Sequence, residues 1–112
     1  MTELNKDRIK TILRFINTVE TDLEGISLDD FQKSDLLVRA TCFSLVQIGE
    51  QMNRLEKKIG ADYPEIPWSE AVKLRNLIVH VYSHVKSEII YNVVKTDLPK
   101  LKESFLVAIE SL

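Results

Sequence analysis

The sequence predicts an all-α fold, an up-and-down bundle of four to five helices forming one domain over residues 1–112. Three observations point there. Apolar residues recur at spacings of three and four through most of the chain, the signature of amphipathic helices. Only three Gly and three Pro occur in 112 residues, too few to turn many short strands. Hydrophobic residues make up 45% and charged residues 29%, enough for one core and a charged surface at a common domain size.

The first helix is carried by Leu4, Ile9, Ile12, Leu13, Ile16, Val19 and Leu23. Gly25 is placed to end it in a left-handed conformation. Ser27 followed by Asp29 and Asp30 reads as the next helix start, with acids at its positive end. A second helical region runs from about Ser27 to Ile59, with a break near Lys33–Ser34. Its centre, from Leu36 through Phe43 and Ile48 to Leu55, is apolar on two sides, and part of that excess is expected to be a dimer surface. Gly49 inside it costs helix stability, about 1 kcal/mol against Ala. It therefore points to a close helix approach, with Glu50 facing a polar cleft. Gly60 ends the region, and Trp68 is expected to anchor the loop that follows. Pro67 or Ser69 starts a third helix reaching Tyr82 or His84. Ser87 can cap a fourth, through Lys95. Asp97 with Pro99 marks a new start or a kink, because Pro disfavours helix at the residue before it. Leu98, Leu101, Phe105, Ala108, Ile109 and Leu112 form a last amphipathic stretch.

The net charge of −2 and pI near 5.7 are not those of a protein that holds nucleic acid by bulk electrostatics, though a local basic pocket is compatible with them. A single cysteine, Cys42, excludes an internal disulfide and offers no metal cluster; a small apolar helix residue is its simplest role. Lys6, Asp7, Arg8 and Lys10 interrupt any signal peptide, and the apolar stretches are too broken to span a bilayer. A cytoplasmic protein with no membrane association, no cofactor and no metal is expected.

Chemistry concentrates in Arg75-Asn76-Leu77-Ile78-Val79-His80-Val81-Tyr82. Arg grips phosphate oxygens in a bidentate fork. His gives and takes protons near neutral pH. On a helix Asn76 and His80 are neighbours, while Arg75 and His80 lie roughly 140° apart. A two-fold axis beside this helix would bring the cations and imidazoles of two copies into one cleft, so a composite site at a homodimer interface is inferred. There His80 would act as general acid or base on the 2′-hydroxyl or the leaving 5′-oxygen. Arg75 would neutralise charge growing on the phosphorane, and Asn76 would orient the imidazole or phosphate. Such chemistry cuts RNA and not DNA, and leaves a 2′,3′-cyclic phosphate without a metal. The plainer readings are that Arg75 and His80 make ordinary hydrogen bonds, that His84 is a solvated or capping residue, and that Tyr63, Trp68 and Tyr91 pack.

The chain resembles the HEPN superfamily, and within it the HepT-like toxins of HepT–MntA toxin–antitoxin pairs. The resemblance lies in Arg75, four residues, His80, one residue, Tyr82, with Ile66-Pro67-Trp68 and Ile48-Gly49-Glu50 upstream. Asn92-Val93-Val94 and Asp97-Leu98-Pro99-Lys100-Leu101 extend it downstream. It departs where relatives have an aromatic and a glycine after the tyrosine; this chain has Ser83 and His84. The resemblance implies a dimerising all-α bundle and a type VII-like pair. Arg75, His80 and Asn76 would be the ribonuclease motif, and Tyr82 the tyrosine on which an MntA-like nucleotidyltransferase antitoxin places AMP. Bound AMP would add anionic phosphate beside Arg75 and His80 and block RNA. Two other readings stand beside this: a non-catalytic accessory or nucleotide-binding subunit of a separate nucleotidyltransferase, and a structural dimer in which the three residues form a buried polar network.

Overall fold

The computed structural model describes residues 2–79 and 87–110. Every regular element among them is helical: α1 (Glu3–Asp22), α2 (Leu28–Lys33), α3 (Asp35–Ile59), α4 (Ser69–Val79), α5 (Ser87–Asn92) and α6 (Leu98–Glu110), with a π-helical turn at Val93–Asp97 joining the last two. The expected all-α fold is therefore found.

Each start carries its own chemical reason. Thr2, Ser27 and Ser34 sit in extended backbone, and their hydroxyls accept the N–H of Asn5, Asp30 and Leu37 respectively. These bonds satisfy donors that the first turn leaves without helical partners. The break expected near Lys33–Ser34 falls at Ser34, which ends α2 and caps α3 at once. Gly25 has φ +72°, the left-handed conformation expected of it after the first helix. Gly60 ends α3 while remaining right-handed helical itself.

The core is one cluster. Ile9, Ile12, Ile16 and Val19 of α1 face Leu45, Ile48, Met52 and Leu55 of α3 in it, closed by Ile90, Leu98, Leu101 and Phe105 from the C-terminal helices. The helices α1 and α3 form the main contact, and α4 packs on α3. Trp68 anchors its loop as expected: its indole N–H donates to the Tyr63 carbonyl at 3.0 Å, and its ring meets Phe105 edge-on at 6.1 Å. Tyr91 and Lys95 clasp the turn after α1, donating to the Ile26 carbonyl at 2.6 Å and the Leu23 carbonyl at 2.9 Å.

The new start or kink expected at Asp97 with Pro99 takes the form of a π turn that ends at Asp97, with α6 beginning at Leu98. The chain stays helical through it: Leu98 is right-handed helical and its N–H reaches the Val93 carbonyl, five residues back. Pro99 has no N–H to offer Lys95 four residues earlier, and its ring would crowd that carbonyl in an α-helix. The wider π turn at Val93–Asp97 makes room for it while Val93, Val94 and Leu98 all stay buried.

The second apolar face of α3 is present in its first half. Leu36, Ala40 and Phe43 share one outward stripe at helical spacing, with Leu36 69% and Phe43 60% exposed. Further along the same stripe stand Glu50 and Arg54, also exposed. Among the described residues no helix is long and apolar enough to cross a membrane.

Candidate active site on helix α4

Helix α4 owes its position to a small-residue contact. Ala71 and Leu74 are buried, and Leu77 and Ile78 pack against the core. They face α3 at Gly49, where an added Cβ would lie 3.3 Å from the Ala71 carbonyl oxygen and 3.9 Å from Leu74 Cβ. The close helix approach expected at Gly49 is thus observed. On another flank of α4, Lys73 Nζ sits 3.3 Å from Asp97 and 3.9 Å from Glu70. The Lys73–Asp97 tie crosses 24 positions in sequence, and nothing in local periodicity announces it.

With that face turned inward, Arg75 and Asn76 are both exposed. They are consecutive, so their side chains diverge by about 100° around the axis. An exposed guanidinium beside an exposed amide is accessible to a phosphate. Within the single chain, neither Arg75 nor Asn76 is buried. The other two residues of the motif, His80 and Tyr82, lie outside the described residues, as do Ser83, His84 and the expected end of this helix. Glu50 is exposed beside Gly49.

The remaining reactive groups are accounted for elsewhere. Cys42 is buried, and desolvation pushes its thiol from 9.0 up to about 11, so it stays protonated and is a poor nucleophile. Among the described residues no three His, Cys, Asp or Glu side chains are grouped to hold a metal ion. A trough of about 520 Å³ on the outside of α1 is lined by Lys10, Arg14, Asn17, Thr18 and Thr21 among others. A second, of about 310 Å³, lies by Glu24, Lys95 and Pro99. Neither is lined by Arg75 or Asn76.

Comparison with known proteins supplies what the geometry alone does not. The family described as "Ribonuclease HepT-like" matches residues 6–107, from within α1 to within α6, and takes in the whole Arg75–Tyr82 run. The chain belongs to the ribonuclease HepT-like family. Among the relatives of this HepT-like chain is a Thermococcus cleftensis protein named "Probable ribonuclease HepT", 30% identical over 94% of this chain and 96% of its own. A Methanocaldococcus jannaschii protein named "Gamma-glutamylcyclotransferase and putative RNase" is 34% identical over 90% of this chain, but the HepT-like chain spans only 46% of its length. No solved structure matches. The activity class of the family is ribonuclease, and the HEPN resemblance read from the motifs is the same assignment.

Proposed function

We propose that this chain is a metal-independent endoribonuclease toxin, active as a homodimer and silenced by an MntA-like nucleotidyltransferase antitoxin that transfers AMP to Tyr82. The observation that carries the reading is an exposed Arg75–Asn76 pair on α4, leading into His80 and Tyr82 within the match to a ribonuclease family.

In the proposed reaction the RNA's own 2′-oxygen attacks phosphorus and the 5′-oxygen leaves, so the product carries a 2′,3′-cyclic phosphate. One proton must leave the nucleophile and another must reach the leaving oxygen. The imidazole of His80 suits both tasks, and two copies of the chain would supply one for each. Arg75 stabilises the extra negative charge on the phosphorane, and Asn76 orients the phosphate or the imidazole. AMP on Tyr82, two residues beyond His80, would set a phosphate against Arg75 in place of substrate. The test is cleavage of RNA in EDTA by wild type and His80→Ala, with product ends analysed. Cleavage by wild type alone, leaving cyclic phosphate ends, is expected; equal cleavage by both would defeat the assignment.

A second reading is favoured by the acidic pI near 5.7. In it the bundle is a non-catalytic accessory of a nucleotidyltransferase, modified on Tyr82 without cutting RNA. An intact mass without AMP, together with no cleavage at high protein concentration, would select it.

A further inference from the structure

We infer that Gly49, on α3 and outside the Arg75–Tyr82 motif, is a positioning residue that sets the placement of Arg75 through the Ala71 carbonyl. The inference rests on the ribonuclease reading for its kinetic consequence but not for its geometry.

Two observations meet at one atom. The Ala71 carbonyl oxygen is the nearest atom to where a Cβ on Gly49 would stand, at 3.3 Å. Ala71 and Arg75 both belong to α4, and the α-helical pattern gives the Arg75 N–H to the carbonyl four residues before it, which is that of Ala71. A methyl group at position 49 therefore presses on the acceptor of Arg75's own backbone bond. At that distance the neighbour has to retreat by a few tenths of an ångström. A helical carbonyl does not swing aside as a flexible side-chain end does. The strain moves the turn Ala71–Arg75, or α4 as a body.

The surroundings limit how α4 can absorb it. Leu74 Cβ lies 3.9 Å from the same point, so the adjoining core residue is already in contact. On another flank, Lys73 is paired with Asp97 at 3.3 Å, which ties the helix to the π turn. The inward residues Ala71 and Leu74 are already buried in the core, so α4 has little room to move on that side. Displacement should accordingly concentrate in α4 and leave α1 in place. The glycine that weakens α3 locally stands where the α4 backbone comes close, one turn before Arg75. Catalysis is sensitive to misplacements of this order when a charge must meet a developing oxyanion.

The experiment compares Gly49→Ala with wild type, using Ile16→Val as a control that loses core volume on α1 without touching α4. Three readouts are taken: melting temperature, kcat and KM for RNA cleavage in EDTA, and ¹⁵N–¹H amide shifts. For Gly49→Ala a fall of about tenfold in kcat is expected, with KM within twofold and amide shifts largest over residues 71–79. Ile16→Val at a similar melting temperature should keep its kcat. Loss of kcat in proportion to stability in both variants, or amide shifts spread evenly over the bundle, would overturn the inference. If wild type cleaves no RNA, the ribonuclease reading fails by itself, and the amide shifts at Ala71 and Arg75 alone decide: displacement there supports the inference, and unmoved amides reject it.

Discussion

Arg75 is exposed on a helix whose opposite side is buried, so within the single chain a functional and a structural role predict different outcomes for its removal. A guanidinium within a buried network would leave unpaired partners when removed, at several kcal/mol. An exposed one typically changes stability by no more than about 0.5 kcal/mol. Arg75→Ala should therefore melt within a few degrees of wild type while RNA cleavage falls by roughly 100-fold or more, the usual cost of losing a group that stabilises transition-state charge. Thermal melts beside initial rates check this, and a large drop in melting temperature would return Arg75 to a structural role. The outward placement of Arg75 and Asn76 was legible in sequence, since they stand among apolar positions that fix which side of α4 faces inward. The Lys73–Asp97 tie was not, because no periodic pattern pairs residues 24 positions apart.

Local chemistry predicted the helix ends better than the joint near Pro99. Ser27, Ser34 and Gly25 act through atoms within a few residues, so their roles follow from their identity and neighbours. Asp97 with Pro99 left a new start and a kink both open, and tertiary burial decides the form the joint takes. Here Val93, Val94 and Leu98 all reach the core, and the chain widens by one residue rather than lose any of them. The clasp beside that turn is testable. The Tyr91 hydroxyl donates to the Ile26 carbonyl at 2.6 Å while its ring packs on Phe31 at a centroid distance of 5.6 Å. Tyr91→Phe keeps the ring and deletes the donor, leaving a part-buried carbonyl short of its partner. The expected loss is about 1 kcal/mol in urea unfolding at unchanged slope. No loss would mean that water replaces the hydroxyl at no cost.

The whole chain presents a surface of 6555 Å², and a stable dimer would hide about 800 Å² of it on each copy. Leu36, Ala40 and Phe43 give α3 an exposed apolar stripe, whereas α1 buries Ile9, Ile12, Ile16 and Val19 in the core and exposes Leu4 near its start. Phe15 meets Phe43 edge-on at 6.3 Å and extends the patch toward α1. The two-sided pattern that made α3 read as shared between subunits is thus unburied in the single chain, which is the condition under which a second copy gains most from covering it. If that stripe seats the proposed dimer, wild type should sediment at twice 12.9 kDa and Phe43→Glu at once that mass. The glutamate would place a charge against its own symmetry mate in an apolar contact. Because one imidazole serves one proton transfer at a time, the monomer should also lose RNA cleavage, and wild-type specific activity should fall on dilution through the dissociation constant. A Phe43→Glu monomer with full activity would show that one copy holds a complete site. A dimer that persists in this variant would place the interface on another face.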